Sequence, residues 1–426
     1  MTDTAALQAS LVAARPRVIA ALAAHLRDLD AAEEAFAEAC AALVGVEHEP
    51  QNLAAWLLTV AKRKAIDAIR RRRTEASAAE AAAMVSEMVE IIKLPEPIPD
   101  ERLRLIFICC HPALALEARA ALALRIICGL PVDAIARIFV TSEATMFQRI
   151  TRAKTKIRQA GVSFELPARK AWPERLEAVL LTLELAYTAA YQDAGGERDP
   201  ELASEVERLA LLVAELFSEE PEALGLAALV ILARSREGAR LGPDGAMVPL
   251  SQQDPSRWDL ERIEQARKLL DDAAHLAQTG PYQVMAAIQL THARRAFDGV
   301  VDWPAILTLY NALMVLRPGP LVALNRALAV GEAEGAARGL AEWDELPAEP
   351  LLDARPYHVA HAQLLSANGD HKGALGALER ALALAPAPVE RLFMEARCET
   401  LRDLIDAGDV SARVSPNRRA EGDRPA

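Results

Sequence analysis

Three prolines in five positions, Pro95-Glu96-Pro97-Ile98-Pro99, place the tightest constraint on how this chain can fold. Proline has no amide hydrogen and its ring clashes with the preceding turn, so neither a helix nor an inner strand runs through this stretch. Whatever precedes it folds apart from whatever follows it. On both sides the pattern is helical. Leu22, Leu26 and Leu29 recur at helical spacing, and Asp30 is placed to cap a segment from Ala31 to Leu43. After a break at Val44–Gln51, which holds Gly45 and Pro50, Asn52 can cap a long helix over Leu53–Arg73. Composition agrees: the chain is 52% hydrophobic but only 4% aromatic. Ala and Leu dominate, and they lose little entropy in a helix, whereas aromatic and β-branched residues favour strands. The expected fold class is all-α.

A chain of 426 residues has room for two or three domains. The boundaries read as one helical unit over 8–74, a linker over 75–100, a second compact helical unit over 101–162, a long helical region over 170–405 and a polar, disordered tail over 410–426. The five cysteines, Cys40, Cys109, Cys110, Cys128 and Cys398, are scattered and form no CxxC pair, so they do not read as a disulfide framework. Cys109-Cys110-His111 suggests a metal site, but adjacent cysteines strain tetrahedral coordination and no second ligand pair is spaced nearby. Packing is the favoured role, no metal is expected, and no cofactor is either. His358 and His361, three apart on a helix, are read as surface or packing residues in the same way. No apolar run suits a bilayer and no leader pattern opens the chain, so the expectation is a cytoplasmic protein without a membrane partner.

Charge is unevenly divided. The net charge is −12 over the whole chain. Residues 1–161 hold 21 Lys and Arg against 19 Asp and Glu, whereas residues 162–426 hold 27 against 41. Two parts with different partners are implied. Within the first part, Lys62, Arg63, Lys64, Arg70, Arg71, Arg72 and Arg73 stand against Asp67 alone over residues 53–73. Cations suit a helix C-terminus, but four consecutive arginines exceed what capping requires, and guanidinium forks fit phosphate. Trp56 on the same helix is either a core residue or a platform for an unpaired base.

The second basic stretch is more ordered in its pattern. Gly129 breaks one helix, and Pro131 to Phe139 places Ile135, Ala136 and Phe139 at core spacing. Val140-Thr141-Ser142 forms a short turn with Thr141 or Ser142 as cap. The next helix carries Thr145, Gln148, Arg149, Arg152, Lys154, Lys156 and Arg158, with no acid between Ala144 and Gly161. Met146, Ile150, Ala153 and Ile157 occupy its other face. This is a helix-turn-helix pattern whose second helix would enter a major groove, and the one-sided charge favours DNA binding over a generic helical hairpin. Further on, Leu309-Tyr310-Asn311-Ala312-Leu313 leading to Pro318, and Leu378-Glu379-Arg380-Ala381-Leu382 leading to Pro386, hint at a repeat near twice the tetratricopeptide period of about 34 residues. Asn368-Gly369-Asp370 followed by Ala374 suits the turn between paired helices of such a repeat.

Several stretches together resemble the extracytoplasmic-function (ECF) group of bacterial sigma factors. Asp30-Ala31-Ala32-Glu33-Glu34-Ala35-Phe36-Ala37-Glu38-Ala39 is similar to the region 2 helix that docks on polymerase. Asn52–Asp67 is similar to the following helix, which melts and reads the −10 element. Leu130–Arg158 is similar to region 4, which reads the −35 element. Asp100–Leu114 with Ala144-Thr145-Met146, and later Gly280-Pro281-Tyr282-Gln283, Asp302-Trp303 and Ala323-Leu324-Asn325-Arg326-Ala327, resemble a subgroup with a tetratricopeptide-like C-terminal domain.

The resemblance implies core RNA polymerase as partner, through its beta' clamp and beta flap, together with promoter DNA. Asp30, Glu33, Glu34, Phe36 and Glu38 would dock on polymerase. Trp56 through Arg73 would engage the melting strand, and Thr145 through Arg158 the upstream duplex. A regulatory protein is a further candidate partner, at the acidic C-terminal domain. Val44–Gln51 is shorter than the family's loop and carries Glu47 and Glu49, so no pocket for a flipped base is assigned there. The alternative is a single-component helix-turn-helix regulator whose repeat domain senses a ligand or protein. An enzyme is not expected, since no phosphate-cradling Gly loop, HExxH or nucleophile motif is present.

Overall fold

A computed structural model describes residues 10–11, 14–15, 18–23, 26, 28–44, 46, 50, 52–72, 100–139, 141–160, 172–192, 200–347 and 351–414. Among them the regular structure is helical, and the single β-bridge joins Leu241 to Met247. The expected linker lies outside the described residues, as do residues 415–426. The expected tail differs from the structure at its start, because the last helix continues to Val414.

The chain divides into two compact units, one of residues 1–191 with 199–206, the other of 192–198 with 207–426. In the first, α1 (Leu29–Leu43) and α2 (Leu53–Arg72) pack together. The α1 cap is Asp28, whose carboxylate accepts from the amides of Asp30 and Ala31. Asp30 therefore sits inside the first turn rather than at the cap, where its negative charge still suits the N-terminal dipole. Asn52 caps α2, accepting from the Ala55 amide at 3.0 Å. The apolar faces of both helices, Ala32, Ala35, Phe36 and Ala39 against Leu57, Leu58, Ala61 and Ala65, are buried.

Four helices follow: α3 (Asp100–Cys109), α4 (Leu116–Ile126), α5 (Val132–Ile138) and α6 (Glu143–Gln159). Gly129 turns the chain after α4 with φ +70, a left-handed conformation that suits glycine. Arg125 pins that turn by donating to the Leu130 carbonyl. Cys109 and Cys110 are fully buried, and burial pushes both thiols up, Cys110 to about 12.

Helix α7 (Pro173–Gln192) also belongs to this first unit. Trp172 stacks on Phe107 of α3 with ring centroids 5.2 Å apart, and Arg175 donates to the Phe107 carbonyl at 2.6 Å. The thiol of Cys110 reaches Thr182. The sequence boundary expected at residue 170 thus precedes a helix that packs backward, and the two compact units meet within α8 (Pro200–Leu216).

The second unit is built around α9 (Pro221–Ser235), which is buried almost throughout, between α10 (Leu260–His275) and α11 (Pro281–Ala293). Glu207 holds it in place by pairing with Arg234 at 2.8 Å and Arg262 at 3.2 Å. The Gly280-Pro281-Tyr282-Gln283 sequence opens α11, and Glu222 of α9 caps it from outside by accepting the Tyr282 and Gln283 amides at 3.0 and 3.1 Å. A Cβ at Gly280 would collide with that carboxylate, which explains the glycine.

A short α12 (Arg295–Asp298) precedes six helices in antiparallel succession: α13 (Trp303–Leu316), α14 (Pro320–Glu334), α15 (Ala336–Asp344), α16 (Arg355–Ala367), α17 (His371–Ala383) and α18 (Pro388–Val414). The first helices of these pairs begin at residues 303, 336 and 371 and the second at 320, 355 and 388, so each pair follows the last by 33 or 35 residues. Asn368-Gly369-Asp370 forms the turn into α17, with Asp370 accepting from the Gly373 amide and Ala374 fully buried. His361 stacks on Trp343, and His358 bonds the Leu352 carbonyl at 2.8 Å, so both histidines serve packing.

Candidate nucleic-acid interface

Ser142 starts α6, its hydroxyl accepting from the Thr145 amide at 3.2 Å. Met146, Ile150, Ala153 and Ile157 are all buried against the preceding helices. Their 4-3-4 spacing fixes the opposite face outward, so every cation on α6 is sorted by its angle around the helix. Thr145, Gln148, Arg149, Arg152 and Lys156 share one flank. Together with Leu114, Ala115, Ala118 and Ala153 they line an open groove of about 330 Å³ beside the start of α4. Arg149 is positioned there by Glu117, at 2.9 Å, and by the Phe139 ring beneath its guanidinium. Thr145, Gln148, Arg152 and Lys156 are exposed.

The other flank carries Phe147, Lys154 and Arg158. Phe147 is 62% exposed, an apolar ring in water on a helix otherwise polar outside. It was not among the residues selected from the sequence. Its signal was available, because helical spacing takes it off the buried face. Lys154 and Arg158 do not point into solvent alone. Lys154 reaches Glu33 at 2.5 Å and Asp30 at 2.8 Å, while Arg158 reaches Asp30 at 2.6 Å and Asp28 at 3.5 Å. These partners belong to α1, more than 120 residues away in sequence.

Glu33 is the hub of this contact. Arg15 reaches it at 2.5 Å and Arg125 at 3.9 Å, in addition to Lys154. Burial pushes the Glu33 carboxyl up, but Lys154 and Arg15 outweigh it and hold the group below its ordinary value. Burial likewise depresses Lys154, and Glu33 and Asp30 more than restore it, leaving the ammonium above its ordinary value. Of the other α1 residues selected from sequence, Glu34 is exposed and Glu38 lies 3.8 Å from Lys64 of α2. Phe36 is 8% exposed beneath the Arg15 guanidinium, so it supports the helix from the core rather than offering a docking surface.

On α2, Trp56 is half-buried and Arg63, two turns on, is exposed on the same side. Lys62 is half-buried, and desolvation lowers its pKa. The backbone of Arg70, Arg71 and Arg72 is helical. Their side chains, and all of Arg73, lie outside the described residues. Val44 at the start of the acidic loop is 89% exposed. Among the described residues no cluster of His, Cys, Asp and Glu is arranged to hold a metal ion, and no helix is long and apolar enough to cross a membrane.

Comparison with known proteins sets these surfaces in a family. The model for sigma-70 region 2 matches residues 11–75, and that for sigma-70 region 4 matches residues 104–157. An uncharacterised protein of Rhizobium meliloti (strain 1021) is 39% identical over 412 residues, covering 94% of this chain and 97% of its own. The chain belongs to the sigma-70 family. It is an ECF-like sigma factor with an additional C-terminal domain. Region 2 of this sigma factor spans α1 and α2, and region 4 spans α3 to α6. The two regions imply core RNA polymerase and promoter DNA as partners, and promoter-specific initiation as the activity. A family of unknown function, DUF6596, matches residues 175–274, from the start of α7 to the end of α10.

Proposed function

We propose that this sigma factor docks on the beta' clamp of core polymerase through the exposed acids of α1, engages the −10 strand through α2 and reads a −35 duplex through α6, with region 4 seated at the beta flap. The observation that carries this reading is the sorting of α6 into a buried apolar face and a cationic outer one. Gln148 and Arg152 stand within reach of base edges if the N-terminal half of the helix enters the groove, as it does in this motif. Gln suits adenine, Arg suits guanine, and each such pair discriminates by about 1–3 kcal/mol. Trp56 and Arg63 give α2 a ring and a guanidinium for an unpaired strand.

The paired helices of α13 to α18 support a tetratricopeptide-like reading of the C-terminal domain, whose role is to bind a regulatory protein. Stacked helix pairs offer an extended surface for a partner. Work on polymerase places the protein in the cytoplasm, and no catalytic step is assigned to it. The test is in vitro transcription from a promoter library with core polymerase, with and without the full chain. Initiation at a defined subset of promoters is expected only when both are present. Tight sequence-specific binding to operator DNA without polymerase, and no initiation with it, would overturn the reading in favour of a single-component regulator.

A further inference from the structure

The ion pairs between α1 and α6 join two surfaces that the proposed function assigns to different partners. Asp30 and Glu33 are polymerase-docking residues, while Lys154 and Arg158 are phosphate-binding residues. Each pair is made by removing both members from their expected work. Glu33 and Lys154 are the most covered of the set, at 15% and 14% side-chain exposure. The contact is also broader than one salt bridge. Arg15 and Arg125 close on Glu33 from two other directions. The Gly129 turn, which ends α4, passes close over Arg15, where a Cβ would stand 3.4 Å from the Arg15 Cδ. Three sides of one carboxylate are therefore lined by cations from three separate segments.

We propose that the Asp28–Asp30–Glu33 ridge of α1 is a receptor for the chain's own recognition helix, so that in the polymerase-free protein regions 2 and 4 mask each other. The inference rests on the reading of α1 and α6 given above. Its occupant is defined by chemistry: a helix presenting a lysine and an arginine one turn apart, the spacing of Lys154 and Arg158. Phe147 lies on the same flank but stays exposed, so the contact covers the C-terminal half of that flank and leaves the N-terminal half open. Core polymerase and DNA phosphates each compete for one side of the same ion pairs. By linkage, either partner that opens the contact favours binding of the other. A sigma factor built this way binds DNA weakly until polymerase takes α1.

Lysine reactivity in the full-length protein tests the contact directly. Lys154 and Lys156 lie on one helix two residues apart, one covered and one exposed. A brief pulse of an amine-acylating reagent, read by mass spectrometry, should label Lys156 at least fivefold faster than Lys154. Glu33→Gln together with Asp30→Asn should bring the two rates together, with helix content by circular dichroism as the check on folding. Should that pair fail to fold, Asp30→Asn alone should still narrow the difference. Equal labelling of the two lysines in the unaltered chain would overturn the proposal.

Masking has its own readout, the affinity of the polymerase-free chain for a duplex. The Glu33→Gln, Asp30→Asn variant should bind several-fold more tightly at low salt, with the salt dependence steeper by about two ions. Exposure of Lys154 without any change in affinity or salt slope would leave the contact in place and overturn the masking. A chain that shows the covered lysine but directs no initiation with core polymerase would overturn the functional reading and leave the contact standing.

Discussion

Glu33 shows how one carboxylate can act over a long sequence distance. It is nearly covered, and Arg15, Lys154 and Arg125 face it, with Asp30, Asp28 and Arg158 one step further out and the buried Cys109 thiol nearby. Its folded pKa is lowered, so its stabilising effect is fully present above the ordinary carboxylate range and is lost as pH falls through the folded value. Lys154 is raised and stays charged throughout that window. Replacing Glu33 by Gln should therefore cost the N-terminal unit about 2–3 kcal/mol near neutral pH, and almost nothing below about pH 3. Denaturant unfolding of both proteins across that range checks the sign. A gap that widened on acidification would contradict it. Nothing in the sequence pointed to this contact, because Glu33 lies in an acidic run and Lys154 in a basic one, each explained by its own surface. The cap was missed for a local reason. Asp28 and Asp30 are both acceptors before the same helix, and only the backbone conformation decides between them.

At the scale of the helix, α6 is where sequence and structure meet most closely. The residues expected inside, Met146, Ile150, Ala153 and Ile157, are those buried, because a 3.6-residue period leaves little freedom once one face is apolar. What periodicity did not convey is that the outer face has two sides with different neighbours. Gln148, Arg152 and Lys156 border the groove, and Phe147, Lys154 and Arg158 face the other way. The two sides should fail differently. Phe147→Ala should remove a preference worth about 1 kcal/mol for thymine at one upstream position, since an exposed ring can meet the thymine methyl group. Lys156→Ala should weaken every promoter alike and lower the salt dependence by about one ion. A promoter library selected against each variant separates them. A changed sequence preference with Lys156→Ala and none with Phe147→Ala would reverse the assignment of the two sides. The arginines of α2 were equally visible in the sequence as a charge run, but a run carries no angular information.

For the whole molecule, the sequence conveyed an all-α chain with two small basic units and a long acidic helical region. The composition and the proline cluster fixed that much. The repeat of helix pairs was faint in Ala- and Leu-rich sequence, where matching residues recur without structural meaning. In the structure it is visible as regular helix starts. The position of α7 was not legible, because a buried tryptophan at the head of a helix does not say which core it enters. Truncation distinguishes the two possibilities. A chain ending after Gln192 should keep a folded N-terminal unit. One ending near residue 165 should be destabilised by about 3–5 kcal/mol from the loss of Trp172 alone, on the scale of large-to-small core changes. Equal unfolding midpoints for the two truncations would show that α7 contributes nothing to region 4.

The same helix bears on how such proteins can be recombined. The DUF6596 match opens at Arg175, so by sequence α7 is the first piece of the added domain. By packing it is the last piece of region 4, tied in through Trp172, Arg175 and Thr182. A chimera cut at the sequence boundary would leave Phe107 uncovered in one parent and an orphaned apolar helix in the other. Transplanting region 4 into another sigma factor means carrying residues 100–192 as one cassette, and the added domain is inherited with its first helix already committed elsewhere.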